Sequence, residues 1–359
     1  TGFSIFKNIK YLDPTLILWR SSSQWIGGLF FLLFLILIFQ NKSFNYKMTN
    51  LTYSGDNNFK SEQNIKDNIL RIFIFYTILS IIILSLLNIS GLRLFNSLNM
   101  SMTLVSGGGF LPTDNIKNII STNFQKIIFT LSLIISMLNF YIIFNLFNKK
   151  TLIKEHKEDF YLIITSIIFF ILIYFNNYEG LDIIASVVSS LANSGLTLVN
   201  SDNNLSLYFL LITMIGGSLI SNSSGIKLTR FYILLKITSL EIIKLISPNS
   251  VINKTIFNSD KKISDDLVKI SFLIFISFFL SLLILSSLLV VDNIGFERSF
   301  KLSILALTNT VNSEMFNMQN LNFNNLLTSS KISLILFMII GKIELISIFL
   351  IFKKILFKD

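Results

Sequence analysis

The chain has 359 residues, of which 52% are hydrophobic and only 14% are charged, with a formal net charge of +10. Because a soluble domain carries about 25% charged residues, this composition predicts an integral membrane protein. The chain has no Cys and one His, which excludes disulfides, thiolate metal sites, Cys nucleophiles and His-based triads.

Long apolar runs alternate along the chain with short apolar segments and polar turns. The long runs are sufficient to cross a bilayer and lie at 19–39, 70–89, 124–147, 160–175, 205–245, 267–291 and 332–352. The run 205–245 is too long for one straight span, and we predict that it is interrupted at 216–225. Three segments of 12–14 residues begin at Gly91, Gly180 and Gly295. They are too short to cross and suit half-membrane helices.

This order repeats as span, short segment, irregular turn and span, and such repeats decide an architecture. The predicted fold is all-α: an integral membrane protein in which four helix–re-entrant pore loop–helix units surround a central ion pore. We predict one pore domain over 1–359. Residues 1–40 form the end of unit 1, and units 2, 3 and 4 span 70–148, 159–247 and 265–359. Since the chain opens at Thr1 in the middle of a unit, the first unit is predicted to be N-terminally incomplete.

The glycine run Gly107-Gly108-Gly109 is the plainest of the turns. Glycine costs about 1 kcal/mol per residue inside a helix, and irregular backbone in a membrane is tolerated only where it is buried or lines a wet cavity. Half-helices whose C-terminal ends face a common centre bring partial negative charge to a cation there. Turn carbonyls can then replace the water shell of the ion. The residues therefore predict a cation pore.

Basic residues predict the orientation. The pieces 41–71, 145–158, 227–269 and 353–358 hold 20 of the 30 Lys and Arg residues. The positive-inside rule places these pieces in the cytoplasm and the turns outside. The predicted location is the plasma membrane (the inner membrane in bacteria), crossed several times.

Residues 216–230, Gly-Gly-Ser-Leu-Ile-Ser-Asn-Ser-Ser-Gly-Ile-Lys-Leu-Thr-Arg, resemble the intramembrane loop of the TrkH/KtrB family of potassium-uptake subunits. Other matches follow in the family's order over the whole chain. They are Thr1-Gly2, Trp19-Arg20 with Gln24–Gly28, Gly108–Phe110 with Asp114, Gly195, Asn309–Met315 and Gly341–Glu344.

The resemblance implies a selectivity filter that binds K⁺. Its residues would be Thr1, Gly2, Ser106, Gly107, Gly108, Ser194, Gly195, Val311 and Asn312. The family has glycine at the position of Asn312. Asn is the commonest non-glycine residue at positive φ, so the turn can survive, but its side chain would narrow or polarise the filter. Glu314 then follows, and we expect it to raise the local cation concentration.

The resemblance also implies a gate below the filter. Its residues would be Gly216, Gly217, Ser223, Ser224, Gly225 and Lys342. Ser223 and Ser224 stand where the family has two of its glycines, which would lower the flexibility of the loop. Lys342 stands where the family has an arginine. An ionisable residue deep in a span is functional by default, and we expect Lys342 to be an electrostatic barrier to cations.

The leading function is K⁺ transport, with a Na⁺-permeable protein and a non-conducting relative with a scaffold role as alternatives. A membrane enzyme would need clustered His, Asp or Glu within spans, and here these residues are scattered. The family resemblance implies a homodimer on a cytosolic ring of nucleotide-binding subunits of the TrkA/KtrA type. The basic loop 227–269 would dock this ring, with anionic lipid as the alternative occupant. No nucleotide motif lies in the chain; K⁺ is expected as the transported ion, with no cofactor and no nucleic-acid partner.

Several polar or small residues are expected to have structural roles. Gly27 and Gly28 suit close helix packing, and Arg20 and Gln24, one turn apart, are expected to hydrogen-bond. Glu179, Asp182 and Glu297 begin short segments, where carboxylates favour the positive end of the helix dipole; we expect them to cap these helices.

Overall fold

The computed structural model describes residues 2–4, 6, 9–40, 65–140, 142, 157–175, 179–199, 203–247, 254–257, 263–318 and 323–343. In this part of the chain the fold is all-α, as predicted, with no β-strand. Its α-helices are α1 (Pro14–Gln40), α2 (Ile65–Ile89), α3 (Leu94–Val105), α4 (Asn123–Met137), α5 (Lys157–Tyr174), α6 (Gly180–Leu191), α7 (Asn203–Ile215), α8 (Leu228–Ile246), α9 (Asp265–Val291), α10 (Phe296–Thr308) and α11 (Thr328–Ile343).

Long and short helices alternate in the predicted order. The short helices α3, α6 and α10 have 12 or 13 residues, and each follows a longer helix and precedes a turn. Within the described residues, two helices are long and apolar enough to span a bilayer by length and composition, at Ile69–Ile89 and Asp265–Val291. Their outward faces expose large apolar side chains such as Phe73, Ile81 and Phe272, which suits contact with lipid.

The short helices lie inside, each packed against the two helices that flank it in the chain and against one earlier helix. Thus α3 packs on α1, α6 packs on α4, and α10 packs on α7. Buried hydroxyl groups in these helices bond to carbonyls one turn earlier: Ser186 donates to Asp182 at 2.7 Å and Ser303 to Ser299 at 2.7 Å. Because the hydroxyls are satisfied locally, small polar helices can be buried at the centre of the protein.

The span predicted at 124–147 is broken at Leu138, where the backbone is extended. Ser218 donates its N–H to the Met137 carbonyl at 3.0 Å, and Phe140 donates its N–H to the Ile220 carbonyl at 2.9 Å. A continuous helix would pair these groups internally; here the segment 216–227 replaces those partners. The stretch has no Gly or Pro to announce the break, and residues 143–148 lie outside the described part.

Asp182 and Glu297 lie in the first turns of their helices as expected, but no carboxylate side chain makes a capping hydrogen bond in α6 or α10. Glu179 is the N-cap of α6 but makes no side-chain capping bond. It pairs with Lys126 of α4 at 2.8 Å, and Asp182 does so at 2.6 Å. The hydrogen bond from Lys126 holds the pKa of Glu179 below its usual value. Glu297 pairs with Lys301 at 2.8 Å, so ion pairs rather than caps fix these residues.

Candidate functional site

The three short helices end in the same kind of turn. The residue after the helix, or one beyond it, adopts a left-handed conformation: Gly107 (φ 63°), Asn193 (φ 59°) and Asn309 (φ 53°). Gly and Asn are the residues that suit this helix-ending position. The next residue closes the turn by donating its N–H to a carbonyl five residues earlier, as in Gly108 to Thr103 (2.8 Å), Ser194 to Ser189 (3.0 Å) and Thr310 to Leu305 (3.0 Å).

This common geometry aligns the turns residue by residue. Gly109 and Val311 become the counterparts of Gly195, whereas the sequence had matched Gly108 and Asn312 with Gly195. The positive φ expected for Asn312 belongs instead to Asn309. A pairing of glycine with a large apolar residue, present in Gly2-Phe3, Gly109-Phe110 and Gly195-Leu196, could have given this alignment from the sequence.

Three of the turns meet the N-terminal stretch at one place. Asn312 donates its N–H to the Gly2 carbonyl at 3.2 Å. A Cβ at Gly195 would lie 2.7 Å from the Val311 carbonyl oxygen, and a Cβ at Gly109 would overlap the Ser194 carbonyl oxygen. Since each approach joins the backbones of two units, only glycine fits at these positions. Thr1, predicted to belong to this site, lies outside the described residues.

The side chains of α1 complete the connection between units 1 and 2. Gln24 accepts the Phe110 N–H through Oε1 at 3.3 Å and packs on Gly108. The Arg20 guanidinium lies 4.4 Å from the centroid of the Phe110 ring and donates to Ser4 Oγ at 3.2 Å. As expected, Arg20 and Gln24 both hydrogen-bond, and they join α1 to the N-terminal stretch and to the turn after α3. Gly28 is packed closely as expected, with Ser106 directly over it. At Gly27, by contrast, an added Cβ would have no neighbour within 4 Å among the described residues.

The oxygens at the meeting point are partly engaged. The Gly2 carbonyl accepts one hydrogen bond from Asn312, and the Gly195 carbonyl accepts one from the Ser313 hydroxyl. Each carbonyl has two lone pairs, so among the described residues each retains one. The Val311 side chain also enters this space: its Cγ2 would lie 2.6 Å from a Cβ at Gly109.

The side chain of Asn312 brings a further oxygen to the turns. Its Nδ2 donates to the Met318 carbonyl at 3.3 Å. Its Oδ1 is buried and has no hydrogen-bond partner in the described part of the chain. The amide therefore adds an uncompensated acceptor beside the backbone of unit 4.

The segment Gly216–Lys227 between α7 and α8, the intramembrane loop, is almost completely buried. The Lys227 ammonium folds back into it and donates to Ser223 Oγ at 3.1 Å and Ser221 Oγ at 3.4 Å. Gly217 donates its N–H to the same Ser223 hydroxyl at 3.0 Å. Ser223 thus cross-links the loop, and Lys227, which the sequence matched to the family motif without assigning it to the site, is part of that cross-link.

Glycines allow the loop to fold on itself. Gly216 has φ 71° and abuts the Ser224 carbonyl; Gly225 has φ 89°, and a Cβ on it would lie 2.9 Å from the Met214 carbonyl oxygen. Both conformations strongly favour glycine. Gly216 and Gly225 are therefore required for the shape of the loop as found, and a Cβ at Gly217 would lie 2.6 Å from the Met137 carbonyl oxygen.

The loop lies against the inner ends of the short helices. Asn222 Nδ2 donates to the Val105 carbonyl at 2.8 Å, and Ser224 donates its N–H to Asn193 Oδ1 at 3.1 Å. Lys342 of α11 donates its ammonium to the Asn222 carbonyl and lies 4.6 Å from the centroid of the Phe31 ring. The predicted gate residues are thus in contact with one another and with the turns.

On the other side, the loop is held by the first turn of α5. Glu158 Oε1 accepts the Leu219 N–H at 3.1 Å, and Asp159 Oδ1 accepts the Asn139 N–H at 2.8 Å. These two carboxylates fix the loop and the break in α4 together. Nothing in the pattern of residues singled out Glu158 or Asp159.

The atoms of the turns that could coordinate an ion are neutral oxygens, and such oxygens bind alkali cations in pores. Among the described residues, no group of three or more His, Cys, Asp and Glu side chains could hold a metal ion.

Comparison with known proteins agrees with this architecture. No family model matches the chain. It is 27% identical over 372 aligned positions to an uncharacterized cation transporter of Methanocaldococcus jannaschii, covering 100% of this chain and 74% of the relative. The crystal structure of the potassium transporter TrkH from Vibrio parahaemolyticus superposes with a TM-score of 0.84 at 18% identity, covering 98% of this chain and 75% of TrkH.

Both similar proteins are named as transporters, in agreement with the prediction that the chain is not an enzyme. The chain has the fold of the TrkH potassium transporter, which confirms the resemblance to the TrkH/KtrB family drawn from its sequence.

Proposed function

We propose that the protein is the pore-forming membrane subunit of a transporter that moves K⁺ across the plasma membrane. The observation that carries this proposal is the meeting of Gly2, Gly109 and Gly195 with the turn of unit 4. The similarity to a cation transporter and to the fold of a potassium transporter supports it.

Backbone oxygens of the turns are the proposed ligands of the ion. The short helices end at the turns, so their C-terminal dipoles place partial negative charge there. The free lone pairs at Gly2 and Gly195 can each replace one water of the hydration shell. In this proposal the wider filter comprises the predicted residues with Gly109 added, and Glu314 raises the concentration of cations at the outer side.

Lys342 and the intramembrane loop are the proposed gate. The ammonium adds a positive charge at Asn222, directly inside the turns, where it opposes a cation. Asn222 of the loop donates a hydrogen bond to the Val105 carbonyl and accepts one from Lys342. Movement of the loop away from α3 would therefore break both hydrogen bonds. Opening in this proposal is a movement of the loop away from α3 together with Lys342.

Two observations favour the alternatives that the sequence raised. The unpartnered amide oxygen of Asn312 is an extra ligand that would fit a smaller ion, and so favours Na⁺ permeation. The Lys227–Ser223 cross-link stabilises a closed loop and so favours a non-conducting relative with a scaffold role.

The proposed partners follow from the family resemblance. They are a second copy of the chain, membrane lipid and a cytosolic nucleotide-binding ring of the TrkA/KtrA type. The ring would dock at the basic segment 227–269, which was expected to be a loop but contains α8 and the start of α9.

Growth of a bacterial strain that lacks its own K⁺ uptake tests the function. Expression of the protein should restore growth at low external K⁺, and the Gly109→Ala variant should not. Expression at the membrane without any rescue would favour the scaffold role. Rescue that is lost when Na⁺ is raised would favour a pore that admits both ions.

A further inference from the structure

Asn222 presents an oxygen atom that the fold leaves without a partner. The residue is 5% exposed, and its Oδ1 is buried with no hydrogen bond to any described residue. Buried polar atoms are nearly always hydrogen-bonded, and an exception calls for a specific explanation such as an ion or a water. Asn222 belongs to the loop segment that touches the inner end of α3.

The orientation of this amide follows from its partner. Nδ2 donates to the Val105 carbonyl at 2.8 Å, and a carbonyl can only accept a hydrogen bond. The amide cannot be flipped without placing two acceptors against each other, so the nitrogen faces α3 and Oδ1 is the free branch.

The electrostatic surroundings of Asn222 attract positive charge. Val105 is the last residue of α3, where the helix dipole is negative. The protein already places a cation at this residue, because the Lys342 ammonium donates to the main-chain oxygen of Asn222. A small cavity lies beside the residue; Ser136 and Ser221 border it, and most of its other lining is apolar.

We propose that Asn222 Oδ1 is a ligand for a monovalent alkali cation at an inner site between the turns and the intramembrane loop. This inference rests on the proposed cation transport. The ion and the Lys342 ammonium then share one residue and repel each other. Occupancy of the inner site by the transported ion weakens the hold of Lys342 on the loop and favours opening.

A double-mutant cycle on cation binding tests the site. KCl is titrated into the purified protein at constant ionic strength, with N-methyl-D-glucamine chloride as the replacement salt, and the thermal unfolding midpoint gives the apparent K⁺ affinity. Lys342→Met should raise this affinity at least tenfold. In the Asn222→Leu background, Lys342→Met should have a smaller effect on this affinity, since the proposed ligand at position 222 is gone and only the repulsion of an ion in the turns is removed.

Asn99 provides the matched control. It is fully buried in α3, its Nδ2 donates to the Phe95 carbonyl at 2.7 Å, and its Oδ1 is likewise unpartnered in the described structure. Asn99→Leu should preserve the full effect of Lys342→Met on K⁺ affinity.

The two levels of the account fail separately. If Lys342→Met has the same effect in the unmodified protein and in the Asn222→Leu background, the inner site is overturned while transport stands. If liposomes containing the unmodified protein pass neither K⁺ nor Na⁺, the proposed function itself is overturned.

Discussion

Replacing Lys342 by Met should increase cation flux, because it removes the positive charge that faces the turns but keeps a side chain of similar length. For two unit charges about 5 Å apart at an effective dielectric constant near 20, the repulsion is about 3 kcal/mol. Its removal corresponds to a gain of roughly two to three orders of magnitude in the rate of passage.

The assay is K⁺-driven uptake of a rubidium tracer into liposomes at equal protein density. Lys342→Arg keeps the charge and should remain slow. Lys331→Met removes a charge from the start of the same helix, where Lys331 donates to the Asn324 carbonyl at 3.0 Å, and should behave like the unmodified protein. Flux that is the same for Met and Lys at position 342 would refute the barrier, and a gain in the Lys331 variant would show that net charge, not position, is responsible.

Three further predictions concern the turns and the loop. Asn312→Gly removes the unpartnered amide oxygen and should raise the ratio of K⁺ to Na⁺ permeability, measured by bi-ionic flux in liposomes; an unchanged ratio would exclude a role in selectivity. Gly109→Ala should abolish rubidium uptake, because its methyl group meets the Ser194 carbonyl, whereas Gly27→Ala should transport normally; equal activity of both would contradict the close approach. Glu158→Ala leaves the Leu219 N–H without its acceptor, which costs about 1–3 kcal/mol, and should release the loop and raise flux about tenfold. Glu158→Gln keeps an acceptor and should leave flux unchanged. A loss of flux in both variants would assign Glu158 to folding alone.

The helix order was predictable because apolar length and polar turns are local properties of the sequence. The short helices, the turns after them and the interruption between α7 and α8 all follow from such patterns. The break at the end of α4 does not follow from such a pattern, since residues 134–142 contain no Gly or Pro. It exists because Ser218 and Ile220, which lie far along the chain, supply the hydrogen-bond partners.

The alignment of the turns shows the same limit at the site. The number of residues from helix start to turn suggested that Gly108 and Asn312 match Gly195. The hydrogen bonds that close the turns instead match Gly109 and Val311 with it. Glu158 was not predictable either, because its role depends on a backbone N–H of the intramembrane loop, a contact that composition and spacing do not encode.

The central claim is that cations pass where the glycines of the turns meet, and rubidium uptake by liposomes containing the purified protein tests it most directly. The account predicts saturable uptake that K⁺ inhibits and that Gly195→Ala abolishes, since a Cβ there would lie 2.7 Å from the Val311 carbonyl oxygen at a φ of 70°. Uptake that continues undiminished in a folded Gly195→Ala protein would contradict it.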